Sequence, residues 1–145
     1  MISVLRSFAI SASGMTAERL RMDTIANNLA NANTTRTADG GPYRRQIPVF
    51  AAREAARPAS GRRASAFTGM GVRVVGIAHD PGPPRLVYDP EHPDADENGY
   101  VHMPNVDVVR EMVDLISASR AYEANITSFN TAKAMAMRAL DIGRA

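Results

Sequence analysis

A chain of 145 residues has the length of one domain, and 45% apolar with 22% charged residues lies in the range of folded soluble proteins. The absence of cysteine excludes a disulfide framework and a thiolate metal site, and no apolar run approaches the roughly eighteen residues of a membrane span. Aromatics are only 6% and tryptophan is absent, while alanine and methionine are plentiful, a supply of small and flexible side chains that favours helix bundles over a thick sandwich.

From Leu5 to Leu29, apolar or small residues recur at Leu5, Phe8, Ala12, Met15, Met22, Ala26 and Leu29, a three-four alternation broken only at Arg19. The pattern predicts a coiled-coil-like helix from about Ser3 to Asn31, ended by Asn31, Asn33, Thr34 and Thr35, whose side chains compete for backbone hydrogen bonds. Arg6 interrupts what would have to be a signal peptide's apolar region, so no cleaved leader is expected. The amides of Asn27, Asn28, Asn31 and Asn33 are suited either to cross-linking neighbouring helices or to solvating the helix end.

Residues 36–104 hold all nine prolines and most of the glycines, which excludes a long helix. Short strands are predicted over Arg45–Phe50, Val72–Ile77 and Arg85–Tyr88, making a small, irregular β-rich insert. The segment Ala51–Ser65 has little to bury and reads as a mobile loop or marginal helical linker. Between Arg36 and Arg73 stand eight arginines against Asp39 and Glu54; between Asp80 and Leu115, nine acids against Arg85 and Arg110. Such blocks read either as complementary faces, with Arg44, Arg45, Arg62 and Arg63 meeting Asp94, Asp96 and Glu97 of an adjacent subunit, or as solvated loops.

Asp94-Ala95-Asp96-Glu97-Asn98-Gly99 imitates the first half of a calcium loop, but Asn105 stands where the bidentate glutamate belongs, and Pro90 and Pro93 forbid the entering helix. It reads as an acidic turn. His79, His92 and His102 lack zinc-ligand spacing, Gly69, Gly71 and Gly76 do not form a phosphate-binding fingerprint, and no nucleophile elbow is present. No catalytic set, cofactor or metal is therefore expected.

From Asn105 the helical period returns at Val108, Met112, Leu115, Tyr122, Ile126, Phe129, Ala136 and Leu140, interrupted at Ser119 and Lys133. Asn105 is the expected N-cap, with Asp107 in the first turn and Gly143 at the end. The chain thus divides into a helix over 1–35, an insert over 36–104 and a helix over 105–145, a mostly α fold whose two helices return antiparallel as one discontinuous core. Leu20, Ile25, Val109, Val113 and Ile116 widen the apolar stripes beyond a two-stranded seam, leaving surface for neighbouring subunits. The expected assembly interface comprises the large seam residues of both helices with Ile25, Asn27 and Asn28.

Three segments together resemble one family. Ser11–Ala17 followed by Ile25–Thr34 is similar to the N-terminal signature of bacterial flagellar rod and hook axial proteins. Thr35–Arg45, with Gly40-Gly41-Pro42-Tyr43, and Tyr88–Asp96 running on to Gly99-Tyr100-Val101 resemble the FlgC branch, as do Met103–Asp107 and Ile116–Asn125. The resemblance implies a structural subunit of the proximal rod, the driveshaft that carries motor torque across the periplasm. It also implies export by the flagellar type III apparatus and partners among copies of itself, other proximal and distal rod proteins and the rod-base adaptor, with no nucleic acid and no membrane insertion. The alternative from another class is an arginine-rich module for nucleic acid or an anionic surface, using Arg44, Arg45, Arg53, Arg57, Arg62 and Arg63 but lacking interleaved aromatics.

Overall fold

The computed structural model describes residues 2–38, 40–53 and 69–143, with side chains from Leu5 onward. Among the described residues the elements in chain order are α1 (Ile2–Ala30), β1 (Gln46–Ala52), β2 (Val72–His79), β3 (Arg85–Tyr88), β4 (Tyr100–Met103) and α2 (Val108–Ile142). The helices have 29 and 35 residues, lengths of about 43 and 52 Å. They run antiparallel: the Phe8 ring lies 4.8 Å from that of Phe129, Arg21 reaches Asp114 and Asn28 reaches Glu111. The mostly α architecture with a β-rich insert between terminal helices is the one the sequence predicts.

All three expected strands form, and a fourth, β4, was not anticipated. Only four residues long, with Val101 alone buried, it carries no alternation to read; its partner β3 fixes it by pairing Arg85 with Met103 and Tyr88 with Tyr100. β1 pairs antiparallel with β2 from Gln46 opposite His79 to Ala52 opposite Val72, and the register shifts between Val49 and Phe50. Pro48 is tolerated because a two-stranded sheet leaves its nitrogen on an edge. Of the segment expected as a loop or linker, Ala51 and Ala52 belong to β1, and residues 54–65 lie outside the described residues.

The start of α2 corrects the expected cap. Asp107, not Asn105, is the N-cap, its carboxylate accepting from the backbone N–H groups of Val109 at 2.9 Å and Arg110 at 3.2 Å. Asn105 instead accepts the backbone N–H of Arg45 at 3.0 Å, tying β1's approach to the chain that enters α2. Gly143 ends the helix, as expected, by donating to the carbonyl of Ala139.

The apolar core is thin and made of small residues: Ala17, Ile25, Ala32, Val101, Val106, Ala118 and Ala132 are its buried members. β1 and β2 pack against α1, whereas the β3–β4 hairpin stands off from the helices. Loop contacts hold it: Thr35 and Arg36 on Asp94, and Asn105 on Gly82.

Candidate functional site

The helices meet through small and polar side chains, not through the large ones that mark the predicted seams. On α1 the facing positions are Gly14, Ala17, Thr24, Ile25 and Asn28; on α2 they are Glu111, Ala118, Asn125 and Ala132. A Cβ added at Gly14 would lie 2.7 Å from Asn125 Oδ1, so only glycine lets the two helices approach this closely there. The larger residues flank this line. Phe8, Met15, Met22, Leu29, Leu115, Tyr122, Ile126 and Phe129 are half-buried, while Leu5, Val108, Met112 and Leu140 are exposed. Periodicity finds large apolar side chains, but the tightest helix contact forms where side chains are smallest.

One apolar face has no partner among the described residues. Val109, Met112, Val113 and Ile116 recur at i, i+3, i+4 and i+7, which puts them on one side of α2, away from Glu111 and Ala118. They are 71, 53, 61 and 57% exposed. At the other end of the helix Met135, Met137, Leu140 and Ile142 are exposed as well.

Where α1 ends and α2 begins, a buried polar cluster joins both helices to β1. Asn28 and Glu111 are each 0% exposed. The Asn28 amide uses its full capacity: it donates to the Gln46 carbonyl at 2.9 Å and to Glu111 Oε2 at 3.0 Å. Its oxygen accepts from Gln46 N–H and the Tyr43 hydroxyl, both at 2.9 Å. Glu111 Oε1 accepts from Arg45 Nε at 2.6 Å, and the rest of that guanidinium lies 3.7 Å from Asp80 and 3.6 Å from Asp114. Burial, and then the Glu111 charge, raise the Tyr43 pKa above its ordinary value. Asn28 was thus legible as a polar helix-end residue, but its bonds lie within the chain. Glu111 was missed because it read as one more member of the acidic block.

The charge blocks are partly paired internally. Arg45 is taken up by Glu111, Asp80 and Asp114, and Asp94 accepts from Thr35 at 2.8 Å and Arg36 at 2.5 Å. The Thr35 hydrogen bond first, and then the Arg36 charge, lower the Asp94 pKa. Asp96 folds its carboxylate onto the backbone N–H groups of Asn98 and Tyr100, at 2.8 and 2.9 Å, and the Tyr100 bond leads in lowering its pKa. Arg44, Asp96 and Glu97 are exposed, and Arg62 and Arg63 lie outside the described residues. Among the described residues no three metal-ligating side chains converge, and no helix is long and apolar enough to cross a membrane.

Two long terminal helices, packed antiparallel through small residues with large apolar side chains left uncovered, define an assembly subunit of the helical axial type. Residues 8–36 match the flagella basal body rod protein family, and residues 97–142 match the flagellar basal body rod FlgEFG protein C-terminal family. The flagellar basal-body rod protein FlgC of Borreliella burgdorferi is 48% identical, over 97% of this chain and 98% of its own. Those of Bacillus subtilis and Salmonella typhimurium are each 43% identical, over 99% of this chain and the whole of theirs. The chain belongs to the FlgC family of flagellar basal-body rod proteins. It is accordingly a structural subunit of the rod and not an enzyme.

Proposed function

We propose that this subunit builds the proximal rod, the torque-carrying shaft across the periplasm, by burying the uncovered apolar faces of its helices against copies of itself and other proximal and distal rod proteins and the rod-base adaptor. The observation that carries this reading is the exposed row Val109, Met112, Val113 and Ile116, too apolar and too regular for a face left in water. The seam residues Leu5, Phe8, Met15, Met22, Leu29, Tyr122, Ile126, Phe129 and Leu140, which flank the contact line between the helices, would offer a further strip of surface. A bundle interlocked along such seams resists twisting because each side chain is held among several of its neighbour's.

Exposed members of the two charge blocks, Arg44 on one subunit and Asp96 and Glu97 on the next, would set lateral register. The chain reaches the rod through the flagellar type III export apparatus. Val113→Asp and Ile116→Asp test the interface, since both positions are solvent-exposed in the free chain and a charge there leaves its fold intact. Each variant should be made and secreted at the normal level yet give no rod and no swimming, because an unpaired charge in a packed seam costs several kcal/mol. Normal motility in both would mean that this face is not buried in the rod.

A further inference from the structure

The surface through which α1 and α2 meet repeats every seven residues. On α2 the inward positions are Glu111, Ala118, Asn125 and Ala132; on α1, Ala17 recurs at Thr24, and Ile25 is followed seven residues on by buried Ala32 in the turn just past the helix end. A heptad repeat of small side chains packs nearly as well after a slide of one repeat. After that slide Phe8 would leave Phe129 for Tyr122, another aromatic ring, and Gly14 would leave Asn125 for Ala118, a smaller partner. The apolar part of the seam therefore does not choose between alignments.

The polar cluster does choose. In the slid alignment Asn28, whose amide makes four hydrogen bonds, would stand opposite Pro104, which has no polar side chain to offer. Glu111 would come opposite Arg21, but only with Arg21 drawn from Asp114 and Arg45 drawn from Glu111. We propose that Asn28, Arg45 and Glu111 are the register key of the helix pair. They select one axial alignment of α1 on α2 and fix the β1–β2 hairpin to it, since Asn28 grips the Gln46 backbone and Arg45 immediately precedes β1. Desolvating a carboxylate and a guanidinium offsets most of what their attraction returns, so the cluster contributes alignment more than stability.

The chain has no cysteine of its own, so introduced pairs report alignment without competition. A sulfur at the γ position of residue 125 would lie 3.0 Å from a Cβ at residue 14, which makes Gly14→Cys with Asn125→Cys the pair for the native alignment. Gly14→Cys with Ala118→Cys reports the slid one, in a chain that also carries Asn125→Ala so that the new Cβ meets no amide group in the native alignment. In the full-length chain, oxidised in dilute solution, the native cluster should close the 14/125 pair and leave the 14/118 pair at background. With Asn28→Leu, Arg45→Met and Glu111→Leu together, helix content should hold while closure of 14/118 rises about tenfold. Glu111→Gln, which keeps the shape and removes the charge, should raise it by a smaller factor and carries the test should the triple variant lose its helices. Closure of both pairs to the same extent with the native cluster overturns the proposal. So does 14/118 closure that stays at background in the variants that remain helical.

Discussion

The two ends of the helix pair are built from different materials. Where α1 finishes and α2 starts, the contact is polar and saturated: Asn28 and Glu111 are fully buried, and Tyr43, Arg45, Gln46 and Asn105 bring the insert into the same network. Towards the far end the described contact includes a tilted aromatic pair, Phe8 on Phe129, and buried Ala132, beside exposed Leu5, Met135, Met137 and Leu140. Hydrogen bonds and buried charges are satisfied in only one geometry, whereas apolar faces accept any complementary partner. The inward face at the first end is thus fixed by the chain itself, while the outward row Val109 to Ile116 at that same end and the large side chains at the far end stay uncovered among the described residues, an arrangement suited to a subunit that must keep its own shape and still yield surface to an assembly.

The sharpest way to break this contrast is Arg45→Ala. It leaves the Glu111 carboxylate fully buried without its cation, and breaking such a pair costs about 3–5 kcal/mol. Thermal or denaturant unfolding of the full chain would read the loss; a change within error would mean that the cluster is wet and replaceable. Amide exchange sharpens the contrast from the other side. In dilute protein the amides of residues 24–30 and 112–118 should exchange on the order of a hundredfold more slowly than those of 5–12 and 133–142, since local opening follows the density of buried contacts. Equal rates along both helices would remove the distinction between the ends.

How much of this was legible beforehand differs between the ends in the same way. The helices, three of the four strands and the uncovered apolar faces follow from periodicity, proline placement and turn residues, which are local signals. The polar cluster joins residues 28, 45 and 111, far apart in the chain, and each had a satisfactory local explanation: a helix-end amide, a member of a basic block, a member of an acidic block. Asn105 misled for a related reason. It has the side chain of an N-cap at the start of the helical period, but the carboxylate two residues on reaches the free N–H groups, and Asn105 is used by Arg45.

The free half of α1 has a smaller tether of its own. Ser13 Oγ accepts the Val72 N–H at 3.1 Å, and Arg6 donates to the Gly69 carbonyl at 3.2 Å, so the loop end of the β1–β2 hairpin is stitched to the helix. Gly71 makes this stitch possible, with φ at +95° and no room for a Cβ beside the Ser13 hydroxyl. Gly71→Ala should cost about 1–3 kcal/mol through strain and loss of the Ser13 bond. The loss should appear as faster exchange at Val72 with little change at Asn28. Equal loosening at both sites would mean that the two tethers act as one unit.

The smallest effect belongs to the acidic turn, which lies outside the contrast between the ends and so serves as its control. Folding lowers the pKa of Asp94, chiefly through the Thr35 hydroxyl, and that of Asp96, chiefly through the Tyr100 N–H. A carboxylate with a depressed folded pKa contributes stability that is complete above its unfolded value and is lost as the pH falls through the folded one. The turn should therefore be insensitive to pH from neutral down to the ordinary carboxylate range and loosen only below it. Asp96 is exposed and Asp94 half-buried within the same surface turn, so the change should be confined to the amide signals of Asn98 and Tyr100 and to the Thr35 hydroxyl contact. Asp96→Asn should weaken the turn at neutral pH and flatten its acid response, while the helix pair stays unaffected. If acid instead loosened residues 28 and 111 together with the turn, the insert and the helix pair would open as a single cooperative body, and the independence assigned to the β3–β4 hairpin would fall with it.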